Sequence, residues 1–189
     1  MRRLASFYNM NTREAVALIS AALPVRPGRV WADFGAGDGT FTRALIELLG
    51  AESRVYAVDR DADALASMDH WPNAERARVI PVVADLAQSI ELPELDGALF
   101  ANTLHFIRDH ATVLARLVKL VKPGGRVVLI EYDRRAASQW VPYPISSSQL
   151  PSLAAAAGLA PPVITSTRRS NYGGELYVAA CDVLPERSD

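Results

Sequence analysis

Between Val30 and Thr40 the chain reads Val-Trp-Ala-Asp-Phe-Gly-Ala-Gly-Asp-Gly-Thr, an acid followed by glycines at alternate positions, Asp33-x-Gly35-x-Gly37-x-Gly39. Glycine admits positive φ and lets a ligand approach bare backbone, and free N–H groups at a helix start suit an anionic group such as a carboxylate or phosphate. The stretch is therefore expected to cradle a ligand, the alternative being a tight strand-to-helix connection that holds nothing. A dinucleotide fingerprint would need its third glycine where Thr40 stands, which weighs against a nicotinamide oxidoreductase. Further polar residues close apolar runs: Asp59, Asp85, Asn102 to His105, and Glu131 to Asp133. Asp59 falls where a carboxylate can accept both hydroxyls of a ribose, the favoured reading, since the alternative of an acid at a helix start is a part Asp61 already fills. His105 has the side chain that can take a proton from an acceptor near neutral pH; a packed histidine satisfied by a neighbour is the alternative.

These positions need a scaffold that brings strand ends together. Arg29–Phe34 reads as a strand, and Phe41 onward has helical spacing up to Gly50. Arg54–Asp59 is a second strand, with Asp61 capping a helix through Met68 that Trp71-Pro72 ends. Arg78–Ala84 is a third, in which Pro81 suits only an edge. Leu95–Asn102 is a fourth strand, Asp109–Val121 a helix stopped by Lys122-Pro-Gly-Gly125, and Arg126–Tyr132 a buried fifth strand. Ahead of these, Asn11-Thr-Arg-Glu14 has the form of a capping box leading a helix to Leu23, closed by Pro24 and Pro27-Gly28. After them, Ser147 or Ser148 is expected to cap an Ala-rich helix with Pro151 in its first turn. Val163–Thr167 and Glu175–Val183 supply the last two strands. Alternation of strands with helices implies a mostly parallel sheet covered on both faces, with ligands in the crevice outside the strands' carboxyl ends.

The 189 residues have room for one domain, and a formal net charge of −1 offers no basic face for nucleic acid. The Arg2-Arg3, Arg134-Arg135 and Arg168-Arg169 pairs read as solvated surface. The one cysteine, Cys181, lies in an apolar run and reads as a buried strand residue. Three separated histidines, with His70 and His110 in helical surface, support no metal site. No apolar stretch has the length of a signal peptide core or a bilayer span, and a cytoplasmic protein is expected.

The Asp33–Gly39 pattern resembles the first motif of the class I S-adenosylmethionine-dependent methyltransferases. Asp85 resembles the acid that receives the adenine amino group in that family, with Leu86 backbone at the ring. Leu95–Ile107 is similar to the strand that delivers backbone beside the methionine part of the donor, without the Asn/Asp-Pro-Pro-Tyr of enzymes that methylate exocyclic amines of nucleobases or glutamine amides. Lys122–Glu131 resembles a further segment of the class. The matches run in order from Val30 to Glu131, and the likeness is to the group acting on small molecules or lipid-like quinones.

The resemblance implies an α/β, three-layer Rossmann-like fold: a seven-stranded, mostly parallel sheet with helices on both faces and the last strand antiparallel. It implies one domain over 1–189, with 1–27 as an N-terminal arm and helix and 133–174 partly covering an acceptor site. Donor contacts fall on Asp33, Gly35, Ala36, Gly37, Asp59, Arg60, Asp85, Leu86, Asn102 and His105. Catalytic candidates are His105 and Tyr143; if the acceptor is a hydroxyl or carbon acid, His105, Glu131, Tyr132 or Asp133 could be the base. Phe7, Tyr8, Trp140, Tyr143 and Tyr172 could enclose a small apolar or planar acceptor, or merely cap the core. The implied activity is methyl transfer from S-adenosylmethionine to a small molecule. A non-catalytic donor-binding or regulatory protein, and less readily the nicotinamide oxidoreductase, are the other readings.

Overall fold

The structure is a computed structural model and describes residues 10–23, 29–68, 71, 78–133, 136–170 and 174–185. Phe7 and Tyr8 of the arm, Pro24, Pro27, Gly28, His70, Pro72, Arg134, Arg135 and Tyr172 lie outside the described residues, as do Arg2 and Arg3.

The chain begins with α1 (Thr12–Ile19), whose capping box forms as expected: Asn11 Oδ1 accepts from Glu14 N–H at 3.0 Å and Glu14 Oε2 accepts from Asn11 N–H at 2.9 Å. Then follow β1 (Val30–Phe34), α2 (Thr40–Leu49), β2 (Arg54–Asp59), α3 (Ala62–Ala66), β3 (Arg78–Val83) and β4 (Leu95–Ala101). The second half comprises α4 (His110–Val118), β5 (Val121–Asp133), α5 (Leu150–Ala156), β6 (Val163–Arg169) and β7 (Glu175–Asp182). The seven strands make one sheet in the order β3-β2-β1-β4-β5-β7-β6. Every pairing is parallel except those of β7, which is antiparallel to both neighbours. The order reverses between β1 and β4, and β3 is an edge, which accommodates Pro81.

Strand alternation divides the core in two. Trp31, Val55, Ala57, Leu99, Val128 and Ile130 face α1, α2 and α3, whereas Ala32, Phe34, Val58, Phe100, Val127 and Leu129 face α4 and α5. Both faces are apolar because both are covered, as a parallel sheet requires.

Two local expectations are corrected. Helix α4 stops at Val118, and Lys122-Pro-Gly-Gly125 is not its terminator but part of β5: Leu95 pairs with Val121 and Gly97 with Arg126, so the extra residues bulge out of the ladder. Sheet pairing overrides the local breaker because Gly124 N–H donates to Val183 O at 2.9 Å and Gly125 O accepts from Val183 N–H at 2.8 Å. In α5 the cap position is Gln149, not Ser147 or Ser148, and its side-chain Oε1 accepts from Ser146 N–H and Oγ, both at 2.9 Å. Pro151 does fall in the first turn. Cys181 is buried in β7, and burial pushes its thiol up to about 11.

Candidate active site at the carboxyl ends of the strands

The turn after β1 carries positive φ at each of its alternate glycines, 81° at Gly35, 53° at Gly37 and 80° at Gly39. Three of its amides, before the helix begins, are held by the neighbouring strand β2. Gly35 and Ala36 N–H donate to Val58 O at 2.7 and 3.1 Å, and Gly37 N–H donates to Asp59 Oδ2 at 2.8 Å. The glycines differ in purpose. A Cβ on Gly35 would lie 2.3 Å from Thr103 Oγ1, so that glycine permits the β1 turn to pack against the end of β4. A Cβ on Gly37 would meet nothing nearer than 4.0 Å, and there the backbone faces open space.

Asp33 sits beneath this turn, 1% exposed, with Oδ2 accepting from Thr42 Oγ1 at 2.6 Å and Oδ1 without a partner among the described residues. Burial pushes its carboxyl up to about 7; the Thr42 bond opposes this and the charges of Asp59 and Asp38 add to it. Asp59 closes β2, taking Gly37 N–H on one oxygen and Asp61 N–H on the other at 2.9 Å. Arg60 beside it is exposed. Ala84 N–H donates to Asp59 O at 2.9 Å, which holds the loop after β3 against β2; in that loop Asp85 is exposed and Leu86 buried. Asp33, Asp59 and Asp85 thus share one edge of three adjacent strands.

Asn102 follows β4 in the left-handed region with φ 53°, and it is buried with neither side-chain polar atom partnered among the described residues. Asparagine tolerates that backbone better than most residues. A 3₁₀ turn, Leu104–Phe106, then carries His105, 1% exposed. Its Nδ1 is 2.5 Å from Glu131 Oε2 on β5, and Glu131 Oε1 also accepts the N–H groups of Leu104 and His105 at 3.0 and 3.3 Å. Nε2 of His105 has no hydrogen-bond partner among the described residues. Glu131 is itself fully buried by the turn it holds, so of the sequence's candidate bases it is the one that orients His105. Tyr132 packs on the imidazole with ring centroids 5.8 Å apart, and Asp133 Oδ1 accepts from Ser147 N–H at 2.9 Å.

Tyr143 is tied to this turn through its backbone, its N–H donating to His105 O at 3.0 Å, while its side chain is exposed. Trp140 is exposed in the same connection. Sequence reasoning missed Phe106, an exposed ring 4.4 Å from the imidazole, for which adjacency to His105 was the available signal; Thr103, within the Asn102–His105 stretch, is the residue under Gly35. It also missed Arg116, which reaches from α4 to the carbonyls of Leu86 and Ala87 and has no local signature. Among the described residues no cluster of His, Cys, Asp and Glu could hold a metal.

The buried Asp33 Oδ1 and the two side-chain polar atoms of Asn102, without partners among the described residues, lie at this rim with the open backbone at Gly37, polar groups that a bound molecule can satisfy. A family profile described as a methyltransferase domain matches residues 32–127. Trans-aconitate 2-methyltransferase of Delftia acidovorans is 30% identical over 96% of this chain and 60% of that protein. Demethylmenaquinone methyltransferase of Mycolicibacterium vanbaalenii is 30% identical over 67% of this chain and 49% of that protein. The solved 1,6-didemethyltoxoflavin-N1-methyltransferase of Burkholderia thailandensis, with S-adenosylhomocysteine bound, is 26% identical with a TM-score of 0.71, covering 92% of this chain and 78% of that one. The chain spans about half, or far less, of the length of the first curated relatives it matches. With a domain profile matched over half of its length and a fold shared with solved relatives, the chain belongs to the methyltransferase domain family, in its class I, S-adenosylmethionine-dependent branch.

Proposed function

We propose that this chain transfers a methyl group from S-adenosylmethionine to a small-molecule acceptor whose reacting hydroxyl or carbon acid gives up a proton to His105. The observation that carries this reading is the His105–Glu131 pair. A carboxylate on Nδ1 fixes the tautomer in which Nδ1 bears the hydrogen, so the Nε2 lone pair is presented for proton transfer.

The donor supplies a methyl on a sulfonium, already activated for in-line displacement. The protein's share is alignment and proton removal, and alignment can lower such barriers by about 7–11 kcal/mol in favourable cases. Asp33 and Asn102 hold the amino-acid end, Gly35, Ala36 and Gly37 shape the turn beside it, and Asp59 with Arg60 takes the ribose. Asp85 and Leu86 take the base. The acceptor proton passes to His105 Nε2, and the positive charge that forms on the imidazole is balanced by Glu131. Tyr143 lies at the acceptor's mouth, with the described part of residues 133–174 partly covering it. The domain acts as one unit in the cytoplasm, on small molecules and not on nucleic acid; the names of its relatives, which include menaquinone and aconitate methyltransferases, support a small acceptor. No helix among the described residues is long and apolar enough to cross a membrane.

Calorimetry with S-adenosylhomocysteine, followed by a labelled-methyl screen over carbon acids, hydroxyls and amines, tests the reading. Expected are binding that weakens at least tenfold, about 1.4 kcal/mol, in Asp59→Ala, and product from an acidic C–H or O–H acceptor that is lost in His105→Gln. Tight donor binding with no product from any acceptor would favour the non-catalytic alternative, and turnover untouched by His105→Gln would remove the base from the mechanism.

A further inference from the structure

Arg116 points its charge at main chain. From α4 its Nη1 donates to Ala87 O at 3.2 Å and its Nη2 to Leu86 O, while Nε is buried without a partner among the described residues. No carboxylate among the described residues pairs with it. A planar guanidinium with two donors on successive carbonyls fixes the direction of both peptide groups, which a single flexible ammonium does not. The loop is also closed from within: Asp85 Oδ1 accepts from Ala87 N–H and Asp85 O from Gln88 N–H, both at 2.9 Å. What remains unengaged among the described residues is Leu86 N–H and, on the residue before it, the second oxygen of the exposed Asp85 carboxylate.

We infer that Arg116 is a positioning residue that sets the base specificity of the donor site, by holding the Asp85–Ala87 loop so that one amide donor and one carboxylate acceptor face an adenine edge. The inference rests on the reading above, in which the reacting methyl faces His105 at the ends of β4 and β5 and the ribose lies at Asp59. The donor's base must then lie on the far side of β2, where Ala84 N–H on Asp59 O places this loop. Adenine offers an acceptor at N1 and a donor at its amino group, the complement of Leu86 N–H and Asp85. Hypoxanthine reverses both, with N–H at position 1 and a carbonyl at position 6, so the loop discriminates only while its two groups keep their directions.

The test compares S-adenosylhomocysteine with S-inosylhomocysteine by calorimetry in the wild-type chain, Arg116→Met and Arg116→Lys, with Arg126→Met as the control for loss of an arginine elsewhere. Arg126 forms an ion pair with Asp182, Nε to Oδ1 2.8 Å, on β5 and β7 away from this loop. Arg116→Met is expected to weaken the adenosyl ligand about tenfold, 1.4 kcal/mol, and the inosyl ligand little, so that their ratio collapses. Arg116→Lys should restore part of the ratio, and Arg126→Met should leave it unchanged. Equal weakening of both ligands in Arg116→Met would make Arg116 a merely structural tie and overturn the inference, as would unchanged affinity for both. If the wild-type chain binds neither ligand, the donor-site reading fails first and takes this inference with it. Because the measure is a ratio within one protein, general loosening of a variant does not imitate the expected result.

Discussion

Glu131 grips the turn that carries His105 at three points: Oε2 meets the imidazole Nδ1 at 2.5 Å, and Oε1 accepts the main-chain N–H groups of Leu104 and His105. One carboxylate thus fixes the ring's position, its tautomer and the backbone beneath it.

Glu131→Gln keeps an oxygen for the two amides but presents an NH₂ to Nδ1, which forces the hydrogen to Nε2 and turns the free lone pair away from the acceptor. The expected outcome is a fall in kcat of about 10²–10⁴, with the S-adenosylhomocysteine dissociation constant changed by less than about twofold, or 0.4 kcal/mol. Glu131→Ala leaves two buried amides unbonded and should lower unfolding free energy by about 1–3 kcal/mol for each. Steady-state kinetics, calorimetry and urea unfolding separate the two effects.

The buried Asp33 carboxyl, pushed up to about 7, opposes the fold once it ionises. Its unfolded pKa is near 3.9, so between about pH 4 and pH 7 the native state keeps a proton that the unfolded chain has released. Stability from this group is expected to fall as pH rises through that window and to level off above it. Asp33→Asn can still accept from Thr42, should flatten that slope and should stabilise the protein by up to about 4 kcal/mol at pH 8. The same variant should bind S-adenosylhomocysteine more weakly. Thermal melts from pH 4 to 8 and calorimetry check the pair, and a variant with unaltered slope would disprove the burial argument.

Gly35 and Gly37 should respond differently to one added methyl. Gly35→Ala drives a Cβ into Thr103 and is expected to cost about 2–3 kcal/mol of stability. Gly37→Ala meets open space and adds only left-handed strain of about 1–2 kcal/mol, yet it fills the space expected for the donor and should abolish measurable donor binding. Unfolding curves and calorimetry on both proteins test this crossing of effects.

At the opposite end of the sheet Asp96 gathers Val30 N–H at 2.8 Å, Arg29 at 3.0 Å and Lys122. Burial would raise its carboxyl, but bonds from Lys122, Val30 and Arg29 outweigh this and hold it below its ordinary value. Such a group stabilises above its unfolded pKa and loses that contribution as pH falls through its folded one. Asp96→Asn is expected to lower stability by about 1 kcal/mol at pH 7, with the gap closing in strong acid, as acid titration of the folded fraction would show. Donor binding should be unaffected because the cluster lies away from the strands' carboxyl ends.

What the sequence determined is the punctuation of the chain. Apolar runs ending in Asp33, Asp59, Asp85 and Asn102, with helical spacing between them, specify strands, helices and the rim where polar groups collect, because hydrophobic period and caps act over a few neighbouring residues. Pro81 at an edge and the Asn11–Glu14 box were legible for the same reason. Tertiary structure decided which partners meet. Lys122–Gly125 became strand because Val183, just past β7, supplied hydrogen bonds that no local breaker can forecast, and the amides of Gly35, Ala36 and Gly37 were taken by Val58 and Asp59 because β2 lies beside β1. Glu131 reached His105 across 26 positions and Arg116 reached Leu86 across 30. Such contacts follow from sheet order and helix placement, which are settled by burying both faces of the sheet at once and leave no periodic trace in the chain.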